Sequence, residues 1–177
     1  MRNVALLAVG LLLVLAQTFL PTLVLGPLGL VHGWNPSLLL PLVVFLGVHE
    51  PSMVRGALLA FLTGHALDLL AAEPIWIFTF VYVSIWWLAR LAGVRLTAQT
   101  VLPRMLLAFV FALVEGGLVL ILLAVFGSDT RRPVEIAQVV LPRAVSTALM
   151  APWVFRLAQR LHPGTVAVRG GSEAVRA

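Results

Sequence analysis

The sequence predicts an all-α, polytopic integral membrane protein of about six transmembrane helices, and its composition, apolar runs and arginine placement carry that reading. Of 177 residues, 61% are hydrophobic and only 11% charged, too few polar side chains to cover a soluble domain. The net charge of +5 is arginine alone, since no lysine occurs. In so apolar a chain that charge orients helices and meets anionic headgroups, and no basic-aromatic patch points to nucleic acid. The absence of cysteine excludes disulfide frameworks, thiol catalysis and cysteine metal sites.

The apolar stretches run over residues 3–20, 36–48, 54–71, 74–92, 101–126 and 136–160. A spanning helix needs about 20 apolar residues, and every stretch but the second approaches that length. Asn35-Pro36 reads as an N-cap followed by a first-turn proline, and His49-Glu50-Pro51 ends the second stretch soon after. A short or tilted helix is expected there. The preceding "PTLVLGPLGLVHGWN" is rich in Pro and Gly yet apolar, which suits a segment lying at the interface or dipping into the bilayer against protein. With both termini cytoplasmic, Arg2, Arg55, Arg90, Arg95, Arg104, Arg156, Arg160, Arg169 and Arg176 all fall inside, as short cytoplasmic loops require. Arg131 and Arg132 fall outside beside Asp129 and Glu135. The expected organisation is one transmembrane domain over 1–162 and a disordered cytoplasmic tail over 163–177. "MRNVALLAVGLLLVLAQ" also has signal-peptide features, but cleavage would place the arginine-rich tail outside, against the charge rule.

Polar residues inside these stretches are the candidates for chemistry. Gly56, Ala60, Gly64 and Asp68 recur every four residues, so they share one helix face. Small residues on one stripe admit a close backbone, the usual basis of helix association in lipid. An ionised aspartate near a bilayer centre costs on the order of 3 kcal/mol. Asp68 therefore reads either as an interfacial aspartate bonding the next turn or as a buried anchor that fixes the packing of this helix or of a partner. His65, three residues before it, is placed to donate to that carboxylate. Glu115 lies mid-helix and Arg143 about two turns into the sixth helix; at about 1.5 Å rise per residue their depths agree closely enough for an ion pair or shared polar network, the alternative being a protonated Glu115 held by the Gly116-Gly117 backbone. Enzyme signatures fail. His49-Glu50 opens like a zinc-binding HExxH, but Met53 stands at the second histidine position and Pro51 breaks the helix. No phosphate loop or nucleophile elbow is present, and no metal or cofactor is expected. Trp34, Trp76, Trp86, Trp87 and Trp153 lie mostly near predicted helix ends, as interfacial anchors do.

The stretch "NPSLLLPLVVFLGVHEPSMVRGALLAFLTGHALDLLAAEPIW" resembles the core of the MreD family of bacterial rod shape-determining membrane proteins. That family opens an apolar helix with a proline, here Pro36, and closes the next with G-x-x-x-G-F-x-x-G-x-x-x-D. Gly56, Ala60-Phe61, Gly64 and Asp68 take those places. The chain departs from the pattern at Ser37, where aspartate is frequent, at His65, where a leucine-like residue stands, and at Ile75-Trp76, where a glycine follows the proline. The resemblance implies a non-enzymatic inner-membrane subunit of the cell-elongation (Rod) complex. Such a subunit would bind the transmembrane helix of MreC and help regulate peptidoglycan synthesis. It would act alongside RodA, a penicillin-binding transpeptidase and MreB, with lipid against the arginine-rich loops. The short second helix and the loop before it are expected contact surfaces. The layout is also similar to that of substrate-binding subunits of energy-coupling-factor vitamin transporters. Those usually carry an Ala-x-x-x-Ala stripe in the first helix; here Val9 follows Ala5 and Leu12 follows Ala8 at that spacing.

Overall fold

A computed structural model describes residues 2–24, 35–70, 76–93, 101–126 and 133–161. They form six α-helices with no strand among them: α1 Arg2–Val24, α2 Leu39–His49, α3 Met53–Leu70, α4 Ile77–Gly93, α5 Val101–Phe126 and α6 Pro133–Leu161. Among the described residues two segments, Met53–Leu70 and Leu102–Phe126, are long and apolar enough to cross a membrane. The segment 25–34 with Trp34, the loop arginines Arg95, Arg131 and Arg132, and the tail from 163 lie outside the described residues.

The short helix α2 is the axis of the bundle. It contacts all five other helices, and every residue from Leu39 to Gly47 is buried. An apolar helix with no polar face must be covered by protein or by lipid, and one of this length is too short to span a bilayer; here protein covers it. The expectation that α2 offers a contact surface to a partner is therefore corrected, because its own neighbours cover it.

Its start is corrected too. Asn35 and Pro36 precede the helix rather than open it, and the N-cap, Leu38, makes no side-chain capping bond. Donors at this end are met from elsewhere: the N–H of Ser37, just before the N-cap, donates to Thr147 Oγ1 of α6 at 2.9 Å, and that of Leu39, the first helical residue, to Gln17 Oε1 of α1 at 3.1 Å. Two other helices thus satisfy groups that a local cap would otherwise serve. At the far end, Arg90 of α4 donates to the carbonyls of Glu50 and Pro51 at 2.9 and 3.3 Å, placing a cation at the C-terminus of α2, where the helix dipole favours it.

Around this axis α3 packs antiparallel on α4, and α5 antiparallel on α6, while α2 runs parallel to α4 and α6. These directions gather Arg55, Arg90, Arg104, Arg156 and Arg160 at one end of the bundle and leave Arg143 toward the other. Gly47 shows how tightly α2 seats on α4. A Cβ there would come within 2.7 Å of Ala89 Cβ and 2.8 Å of the Trp86 carbonyl oxygen.

Candidate functional site

Glu115 is the hub of the buried interior. It sits on α5 about 17 Å of helix rise from Phe126 and about 21 Å from Val101, and it is 2% exposed. Its Oε1 accepts from Tyr82 OH at 2.9 Å, Ser37 Oγ at 3.1 Å and an Arg143 terminal nitrogen at 3.3 Å. The two hydroxyls are themselves 2.9 Å apart. Three oxygens therefore share two hydroxyl protons, and with Glu115 ionised both protons point to the carboxylate. Residues from the approach to α2 and from α4, α5 and α6 meet at one oxygen atom. The Glu115–Arg143 contact expected from helix depth is present as a single 3.3 Å ion pair, longer than the 2.7–2.9 Å usual for charge-assisted bonds.

Asp68 fastens a different joint. It is 3% exposed at the end of α3, and its two oxygens accept from the Phe78 and Thr79 N–H groups, each at 2.8 Å, and from the Thr79 hydroxyl. The carboxylate of one helix thus caps the first turn of the next, satisfying donors that lack partners at any helix start and placing negative charge where the α4 dipole favours it. The stripe that ends in Asp68 lies against α4 along its length. A Cβ on Gly56 would meet the Trp86 indole at 2.5 Å, and one on Gly64 would meet Thr79 Cα at 3.0 Å and Phe78 O at 3.1 Å. Ala60 is fully buried. The face Gly56, Ala60, Gly64, Asp68 is occupied by the protein's own α4, so the alternative in which it receives a partner helix is corrected.

His65 belongs to neither polar joint. Both Asp68 oxygens are engaged by α4, and His65 Nδ1 is buried with no hydrogen-bond partner among the described residues. Its ring stacks on Trp76 at 5.0 Å and on Phe61 at 6.0 Å between centroids. Phe61 is accordingly a half-exposed aromatic beside this stack rather than part of the core. Trp76 has a φ of 85°, a conformation natural to glycine that costs other residues about 1–3 kcal/mol. Trp76, Trp87 and Trp153 are exposed, as interfacial rings are, but Trp86 is a core residue, packed against Gly56 with Arg90 over its ring.

Sequence reasoning missed Ser37, Tyr82, Gln17 and Thr147, the donors and acceptors that complete the interior. Their only local signal was being polar within apolar runs. A cavity of about 190 Å³ opens at the end where α2 begins, lined by Gln17, Asn35, Leu67, Leu70, Phe78 and Arg143 among others. A larger, almost wholly apolar groove of about 340 Å³ runs between α5 and α6 past Leu102, Leu106, Phe109, Val145 and Leu149. Among the described residues no cluster of His, Cys, Asp or Glu is placed to hold a metal ion.

A bundle with a short, almost wholly buried helix at its axis, membrane-like composition and buried carboxylates bonded from one helix to another defines a helical membrane protein. The chain belongs to the MreD family: the family model for the rod shape-determining protein MreD matches residues 1–161. No curated protein and no solved structure matches it. Membership places it in a membrane-protein family concerned with rod shape.

Proposed function

We propose that this protein is a non-enzymatic scaffold of the bacterial cell-elongation machinery, seated in the inner membrane with both termini cytoplasmic. In this reading it binds the MreC transmembrane helix and thereby helps regulate peptidoglycan synthesis by RodA and its transpeptidase, with MreB reached indirectly. Family membership over residues 1–161 supports the setting. The observation that carries the scaffold reading is the contrast between a filled α3–α4 seam and an open apolar groove between α5 and α6. The small-residue stripe is already used internally, and the groove offers an open face to a partner helix. Gathering of five arginines at one end of the bundle supports the orientation, that end facing the cytoplasm.

The test is affinity purification of the tagged protein from its own bacterium in mild detergent, with co-purifying proteins identified by mass spectrometry. MreC and the elongation synthase are expected, and Leu106→Trp, which fills the groove, should reduce their recovery about tenfold, as loss of a central contact does. Wild-type protein that recovers paired ATPases with their membrane scaffold in place of MreC would instead make this a vitamin-uptake subunit.

A further inference from the structure

The cavity beside the start of α2 has two unlike walls. Leu67, Leu70 and Phe78 form the apolar one, and Gln17, Asn35 and Arg143 the polar one. The polar wall presents hydrogen-bond donors in excess of the acceptors that the described residues offer. The Gln17 carbonyl oxygen is taken by the Leu39 N–H, which leaves its amide NH₂ as the free end. The Arg143 guanidinium carries five N–H donors, yet among the described residues its acceptor is the one Glu115 oxygen at 3.3 Å. Its Nε is buried with no partner among the described residues, and its side chain is 35% exposed.

Arg143 lines the cavity with its side chain part-exposed, so terminal nitrogens that Glu115 does not hold are open to a guest, and donors left unmet at a partly buried site are costly. Glu115 is not dependent on it, having two hydroxyl donors of its own at 2.9 and 3.1 Å. Arg143 is therefore free to turn its fork toward a second acceptor group, and a tetrahedral phosphate offers the oxygen spacing that a guanidinium matches. The positive end of the α2 dipole adjoins the same space.

We propose that this cavity binds a phosphate group, presented on a lipid headgroup or free in solution. Its size limits the guest. An apolar cavity of about 150 Å³ holds benzene, so about 190 Å³ takes a phosphate with a short stem, while drug-sized ligands need about 300–1,000 Å³. The apolar wall of Leu67, Leu70 and Phe78 suits the glycerol and first methylenes of a lipid.

The test uses the full chain in dodecyl maltoside, which carries no phosphate, and reads the melting temperature with and without added probe. Phosphatidylglycerol should raise it by about 5 °C at saturation, and diacylglycerol, which lacks the phosphate, should not. Leu70→Trp fills the cavity while leaving Arg143 and Glu115 intact, and should abolish the lipid-dependent rise whatever it does to the lipid-free value. Asn35→Ala should reduce it. A rise with phosphatidylglycerol alone assigns the site to a headgroup; an equal rise with inorganic phosphate assigns it to the free anion. No rise with either phosphate probe, an equal rise with diacylglycerol, or a rise that persists in Leu70→Trp overturns the proposal.

Discussion

Asp68 and Glu115 are both carboxylates buried to within a few per cent, but they are satisfied in opposite ways. Asp68 draws on backbone N–H groups ten and eleven residues further along the chain. Glu115 draws on three side chains that are 28, 33 and 78 residues away. The first is a local joint between consecutive helices, formed as soon as α3 and α4 meet. The second is a closure that exists only when four parts of the chain have arrived. A local joint leaves a mark in the sequence, and a distributed one leaves almost none.

The difference can be broken experimentally, starting at Glu115. Glu115→Leu removes the common acceptor of two hydroxyls and leaves the Arg143 charge without its partner, so we expect a loss in detergent unfolding toward the lower end of the about 3–5 kcal/mol typical of breaking a fully buried pair, because the Arg143 side chain keeps 35% exposure. Arg143→Met alone should cost less, and the double substitution less than the sum of the two; strict additivity would show that the 3.3 Å contact carries no coupling.

Asp68→Leu should cost about 2–4 kcal/mol, since charge-assisted bonds contribute about 1.5–3 kcal/mol each and some donors recover partners by relaxation. The loss should be confined to the start of α4. Hydrogen exchange at Phe78 and Thr79 should accelerate while the α5–α6 seam keeps its protection. Uniform acceleration across all helices would remove the distinction between a local and a distributed joint.

Glycines sharpen the same contrast at smaller scale. Gly56→Leu drives a side chain into the Trp86 indole, which a Cβ alone would meet at 2.5 Å, and should destabilise by about 1–3 kcal/mol, the cost typical of overpacking. Gly117→Ala should be neutral or stabilising by up to about 1 kcal/mol, because the added methyl meets nothing within 4 Å and the unfolded chain loses freedom. Its neighbour Gly116, where a Cβ would fall 2.5 Å from a Val140 methyl, is the matching control.

What the sequence made legible follows the same division. The helices at 54–71 and 101–126 were readable because an uninterrupted apolar run is a local property, and the observed Met53–Leu70 and Val101–Phe126 differ from them by at most a residue. The stripe ending in Asp68 was readable because four-residue spacing on a helix is local as well. The start of α2 was misplaced because a capping rule assumes that the chain must cap itself, whereas Thr147 and Gln17 do so here from α6 and α1. Ser37 and Tyr82 were invisible as members of the Glu115 hub, since nothing within ten residues of either points to a carboxylate on another helix. His65 misled because proximity in sequence to Asp68 said nothing about Phe78 and Thr79 reaching the carboxylate first.

The capping of α2 by distant side chains also orders the protein's birth. At 11 residues the helix is about 16 Å long, roughly half the hydrocarbon thickness of a bilayer, so it has no means of settling in lipid by itself as it leaves the ribosome. Gln17 is already made when it emerges, but Arg90, which holds its far end, is synthesised some forty residues later by the numbering, and Thr147 comes only with the final helix. Of the six described helices, the one made last therefore supplies a hold on the second. A nascent chain that has not yet made α6 holds a core segment whose packing is incomplete.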